Sequence, residues 1–121
     1  MAVSRKLRRK IVRLNRVFYW YVAPDYDDAG VHKLHILSED KKFIVAYELE
    51  QADKPNWRPM LVVMGKEFEG LSGDYTGYRR VLTPIWQDKL ITPKLVGEII
   101  DWCYSKEKDL ISVNWMGEIL T

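Results

Sequence analysis

The stretch VFYWYV at residues 17–22 constrains this chain more than any other. Its residues are β-branched or aromatic, the types that fit a pleated surface. Successive strand side chains point to opposite faces. Phe18, Trp20 and Val22 therefore line one face, and Val17, Tyr19 and Tyr21 line the other. Both faces are bulky, so the sequence predicts that each is at least half covered.

Other strands follow the same logic. VHKLHILS (31–38) and FIVAYELE (43–50), joined by the turn-prone SEDKK, predict an antiparallel hairpin. Phe43, Val45, Tyr47 and Leu49 share one face of its second strand. RPMLVVM (58–64) predicts a further strand, with Pro59 tolerable at its start. PDYDDAG (24–30) and QADKPNW (51–57) read as connections, and the glycine-containing stretch 65–78 as a long irregular segment.

Helix signals concentrate near the end. Thr92 is a capping type and Pro93 suits the first helical position. Leu95, Val96, Ile99, Ile100 and Cys103 then recur on one face, predicting a helix over about 93–105. Gly97 weakens such a helix unless something packs closely against it. Residues 83–92 begin with another Thr-Pro and predict a helical turn, and 110–120 read as a final strand or a short packed tail. The fold class expected is α+β: an antiparallel four- to five-stranded sheet packed on one C-terminal helix.

The opening SRKLRRKIVRLNR raises the main functional question. Residues 1–16 carry seven Lys or Arg and no acid, for +7. The remaining 105 hold twelve Lys or Arg against seventeen Asp or Glu, for −5. Val3, Leu7, Ile11 and Leu14 have a helical spacing, but β-branched Ile11 and Val12 and turn-prone Asn15 favour a strand at 10–14. The expected organisation is a basic, frayed N-terminal segment at 1–9 and a single α+β domain at 10–121. No apolar run approaches the roughly 20 residues of a membrane span. The basic start and the apolar VFYWYVA lack a cleavage pattern. With Cys103 the only cysteine, a soluble, cytoplasmic protein is expected.

Catalytic motifs are weak. His32 and His35, three apart on a strand, point to opposite faces, which argues against a shared metal. Asp25, Asp27 and Gly30 imitate a calcium loop, but Ala29 and Ile36 occupy positions that need ligands. Cys103 falls on the apolar helix stripe, as a buried thiol would. Ser38, Ser72, Ser105 and Ser112 sit in no nucleophile elbow. Asp74, Glu67, Glu69 and Asp88 are too ordinary a set of acids to mark a carboxylate pair. GKEFEGLSGDYTG has neither dinucleotide nor P-loop spacing. No catalytic residue, metal or cofactor is assigned.

The reading that ranks first is a small protein-interaction or structural module without evident catalysis. A protein partner or a homodimer ranks ahead of nucleic acid. The first alternative is nucleic-acid binding, with Arg5, Lys6, Arg8, Arg9, Lys10, Arg13 and Arg16 neutralising phosphates and Tyr19 and Tyr21 stacking on bases. The second is a small hydrolase-like enzyme with an unrecognised site. A further use of the basic segment is to lie along an acidic region of its own body.

Overall fold

The computed structural model describes residues 8–26, 29–71 and 78–120. Its strands are β1 (Arg9–Arg13), β2 (Arg16–Asp25), β3 (Val31–Ser38), β4 (Ile44–Glu48), β5 (Met60–Val63), β6 (Arg79–Leu82) and β7 (Ser112–Val113). The helix α1 (Pro93–Tyr104) falls between β6 and β7 in the chain. The strands form one sheet in chain order, and each pairs antiparallel with its neighbours. The α+β class and the C-terminal helix packed on an antiparallel sheet are as expected from sequence. The number of strands is not, since the sheet has seven instead of four or five.

β6 is not expected from sequence, and β7 falls within 110–120, which reads there as a final strand or a short packed tail. β6 reads RRVL and β7 only SV, too short for an alternating pattern. Backbone pairing holds them: β6 lies between β5 and β7, and the Leu82 amide donates to the Ile111 carbonyl at 2.9 Å. The helical turn expected at 83–92 is absent from those residues. They run irregularly along the core instead, anchored by buried Trp86 and Asp88.

Local geometry follows from residue type. β1 ends at Arg13, and Leu14 and Asn15 turn the chain with φ 54° and 57°. This is the double left-handed geometry of a tight hairpin, which Asn accepts more readily than Leu. β2 continues through Pro24, expected to open a loop, as far as Asp25. Proline is tolerated there because β1 pairs only as far as Trp20, so that among the described residues no strand neighbours that side of β2 at Pro24. Thr92 caps α1, its hydroxyl accepting from the Leu95 amide at 3.2 Å. Gly65 is required by space, since an added Cβ would lie 2.4 Å from the Lys42 carbonyl oxygen.

The main core lies between α1 and one sheet face. Phe18, Leu34, Ile36, Tyr47, Leu61, Val63 and Val81 meet Val96, Ile99, Ile100 and Cys103 there, all closed to solvent. Burial of this apolar surface is the dominant stabilising contribution. Burial also pushes the Cys103 thiol far above its usual range, so it is inert. Gly97 allows α1 to approach β1 closely, because the Arg13 guanidinium carbon would stand 3.1 Å from a Cβ there.

The opposite face is partly covered too. Met60, Leu82 and Val113 form a second, smaller cluster with Trp57 and Ile111 packed against it. The loop after β4 makes a single 3-10 turn at Gln51–Asp53, and Gln51 fastens it. The Gln51 Oε1 accepts from the Met60 amide at 2.9 Å and from the Trp57 indole at 3.0 Å. Its amide nitrogen donates to the carbonyls of Met60 at 2.8 Å and Glu48 at 3.1 Å. A fully buried amide is stable only when satisfied in this way.

Candidate interaction surface

The basic start does not form one positive stripe among the described residues. Arg5 and Lys6 lie outside them. β1 pairs Arg9 with Trp20 and Ile11 with Phe18, so Arg9, Ile11 and Arg13 share the helix side of the sheet. Lys10, opposite Tyr19, points to the other side. The Arg8 Nε is buried without a hydrogen-bond partner among the described residues. The Arg9 guanidinium stands over the Trp20 ring, 5.4 Å from its centroid.

Acids of the body engage the next two arginines. Arg13 forms a two-point pair with Asp101, its Nε donating at 2.9 Å and its Nη2 at 2.5 Å. That hydrogen bond holds the Asp101 carboxyl below its usual range. Arg16 donates to Glu67 and to the Tyr104 hydroxyl (2.9 Å), and lies 3.6 Å from Asp40. The Tyr104 hydroxyl in turn donates to Glu67 at 2.6 Å. Burial opposes ionisation of Glu67, but the hydrogen bonds from Arg16 and Tyr104 outweigh it and hold its carboxyl below the ordinary value. Arg16 also lies 5.5 Å from the centroids of both the Phe18 and Tyr104 rings.

The two tyrosines are engaged within the fold. Tyr21 stacks on His35 at 4.8 Å between centroids, with the rings 11° apart. The Tyr19 hydroxyl lies 3.4 Å from the Glu39 carboxylate. His32 is exposed and His35 half-buried. Burial lowers the His35 pKa and the nearby Lys33 charge adds to that, with smaller opposing influences from Asp25 and a backbone hydrogen bond at Ala23. Asp88 accepts from the Tyr47 hydroxyl at 2.6 Å and the Ala52 amide at 3.2 Å, so this buried acid serves the core. Asp27, Ser72 and Asp74 lie outside the described residues. Among the described residues, no group of three His, Cys, Asp or Glu could hold a metal ion.

A run of exposed apolar residues sits at the other end of the sheet. After β7 the chain turns back on itself, with Val113 bridging Ile119 antiparallel. The Asn114 amide donates to the Glu118 carbonyl at 2.9 Å, and the Leu120 amide to the Ser112 carbonyl at 3.0 Å. The Asn114 side-chain oxygen accepts from the Met116 and Glu118 amides, both at 2.9 Å. Gly117 closes the turn at φ 81°, and its Cα side rests near Met60 and Trp57. A well-bonded hairpin thus carries Trp115, Met116, Ile119 and Leu120 to solvent, at 69%, 51%, 58% and 58% exposure.

Beside the hairpin, on the sheet face away from α1, lies a cleft of about 170 Å³. Lys33, Glu48, Val62 and Arg80 form its floor from four successive strands, and Lys54, Trp57 and Trp115 its walls. Lys33 is only 6% exposed, with its ammonium 3.0 Å from Asp25. Lys54 pairs with Glu48 at 2.6 Å and stands 5.2 Å from the Trp57 ring centroid.

Sequence reading missed the hairpin and the cleft as sites. WMGEIL shows apolar residues without a face to assign them to. The cleft residues are far apart in the chain, and the pairing of β3 through β6 brings them together. Compared with known proteins, the chain matches no family model, no curated protein and no solved structure.

Proposed function

We propose that this chain is a protein-interaction module whose contact surface is the hairpin after β7. The observation that carries this reading is the exposure of Trp115, Met116, Ile119 and Leu120 on one ordered turn. Contiguous exposed apolar side chains of this size mark association surfaces in folded proteins. Aromatic and methionine side chains are also enriched in interface centres. The Val113–Ile119 bridge occupies the outer edge of β7, so contact here is through side chains instead of an added strand. At the other edge, β1 bears Arg9, Lys10 and Arg13, and charge of this kind blunts strand-to-strand association. A partner protein with an apolar patch is therefore favoured over a copy of this chain.

Nucleic-acid binding has less support. Arg13 and Arg16 are committed to Asp101 and Glu67, Lys10 lies on the other sheet face from Arg9 and Arg13, and Tyr21 is stacked on His35.

The test is photo-crosslinking in the native host, with a photoreactive amino acid at position 115 or 119 and a control at exposed Tyr26. A discrete protein adduct from 115 and 119, absent from 26 and abolished by Met116→Ser with Leu120→Ser, supports the reading. Adducts equal at all three positions, or adducts only to nucleic acid, overturn it.

A further inference from the structure

We infer that the cleft between Trp57, Trp115 and Arg80 binds a compact organic carboxylate with a flat apolar body. The inference stands independently of the partner at the hairpin.

Size sets the first limit. At about 170 Å³, the cleft falls below the roughly 300–1,000 Å³ of sites for drug-sized ligands. It suits a single ring or a short branched acid.

Charge sets the second. Lys33, Lys54 and Arg80 contribute three cations. Among the described residues Asp25 pairs with Lys33 and Glu48 with Lys54, which leaves one of the three cations lining the cleft without an acid. That charge is on Arg80, which has no ion-pair partner among the described residues. A planar guanidinium suits a carboxylate, with two parallel N–H donors meeting two oxygens. With one unbalanced charge and Glu48 in the floor, a monoanion fits better than a doubly charged phosphate.

The walls set the third. Trp57 and Trp115 offer indole surfaces, and Met60 and Val62 add apolar area between them. Flat ligands gain from such surfaces by stacking or edge contact. The framework is also built in advance. Gln51 fixes the loop bearing Lys54 and Trp57 through four hydrogen bonds, and Asp25 holds Lys33. A ligand would therefore lose little by ordering the site on entry.

The experiment is a titration of the full chain with benzoate, benzamide and inorganic phosphate, read from the indole N–H signals in 15N NMR. Trp57→Phe and Trp115→Phe assign the signals. Benzoate is expected to shift both indoles, and benzamide and phosphate to bind at least about tenfold more weakly. Arg80→Gln should weaken benzoate by about tenfold or more and leave benzamide unchanged. If Arg80→Gln fails to fold, Arg80→Lys serves, and a measurable loss of benzoate affinity is expected because the fork is gone. Lys94→Gln, on an exposed lysine of α1 on the other side of the sheet, should bind as wild type. Equal affinity for benzoate and benzamide, wild-type binding by the Arg80 variants, or no indole shift at about 20 mM benzoate would overturn the proposal.

Discussion

On the helix side of the sheet, Phe18, Leu34, Ile36, Tyr47, Leu61 and Val81 are sealed under α1. On the opposite side the same strands present Tyr21, Lys33, His35, Glu48, Val62 and Arg80, covered only in part by the Gln51 loop and the C-terminal hairpin. The first side is held by apolar burial, which is non-directional and tolerates similar shapes. The second is held by directed hydrogen bonds and ion pairs around a small apolar cluster, where removal of one partner strands another. The contrast places stability mainly on one side and the proposed recognition on the other. Five substitutions test it.

The largest effect is expected from Ile99→Ala. Ile99 is fully buried in the main core, so the variant should lose about 3 kcal/mol of unfolding free energy in a urea titration. A loss below about 1 kcal/mol would mean that the core relaxes around the cavity and that the helix side is less tightly packed than described.

Gln51→Ala comes next. It leaves the Met60 amide and carbonyl without their partners, and about 2 kcal/mol should be lost. Amide exchange should rise first near Trp57 and Met60, with α1 still protected. Uniform exchange across both sides would erase the distinction between them.

A smaller loss, about 1 kcal/mol, is expected for Arg16→Met, at the rim of the helix side. The partner's titration provides the sharper reading. Glu67 is held below its ordinary value of 4.5 in the folded protein, so its contribution is present above that value. It is lost as pH falls through the folded value. Glu67→Gln should therefore lower stability at neutral pH and flatten the acid limb of a pH-dependent melting series.

The smallest effect concerns His35. Burial lowers its folded pKa below the ordinary 6.5, so the unfolded chain binds the proton more readily. Its stabilising contribution is complete above about 6.5 and declines as pH falls toward the folded value. His35→Gln should remove that slope and also separate Tyr21 from its stacking partner. A slope unchanged in the variant would assign it to another group.

Much of the helix side was legible from residue order. The alternation of Phe18 with Trp20, of Val45 with Tyr47, and the stripe Leu95, Val96, Ile99, Ile100 and Cys103 each state a period and a buried face. The close packing anticipated at Gly97 is supplied by Arg13. The opposite side was much less legible. Gln51 sits in a segment that reads as a polar connection, yet it is 1% exposed and makes four hydrogen bonds. β6 and β7 are too short to show a period, so only their neighbours define them.

The basic opening shows the same division. Its charge is a property of composition, and the sequence by itself determined the excess of cations and the strand tendency of Ile11 and Val12. Tertiary structure decided how those cations are used. The β1–β2 register divides Arg9 and Arg13 from Lys10, and α1 brings Asp101 to Arg13. Local periodicity reports which face a residue occupies, because it depends on successive backbone torsions. It carries no information on which distant side chain will meet it. Arg13 with Asp101, and Arg80 with Trp57 and Trp115, are contacts that only the folded sheet and helix create.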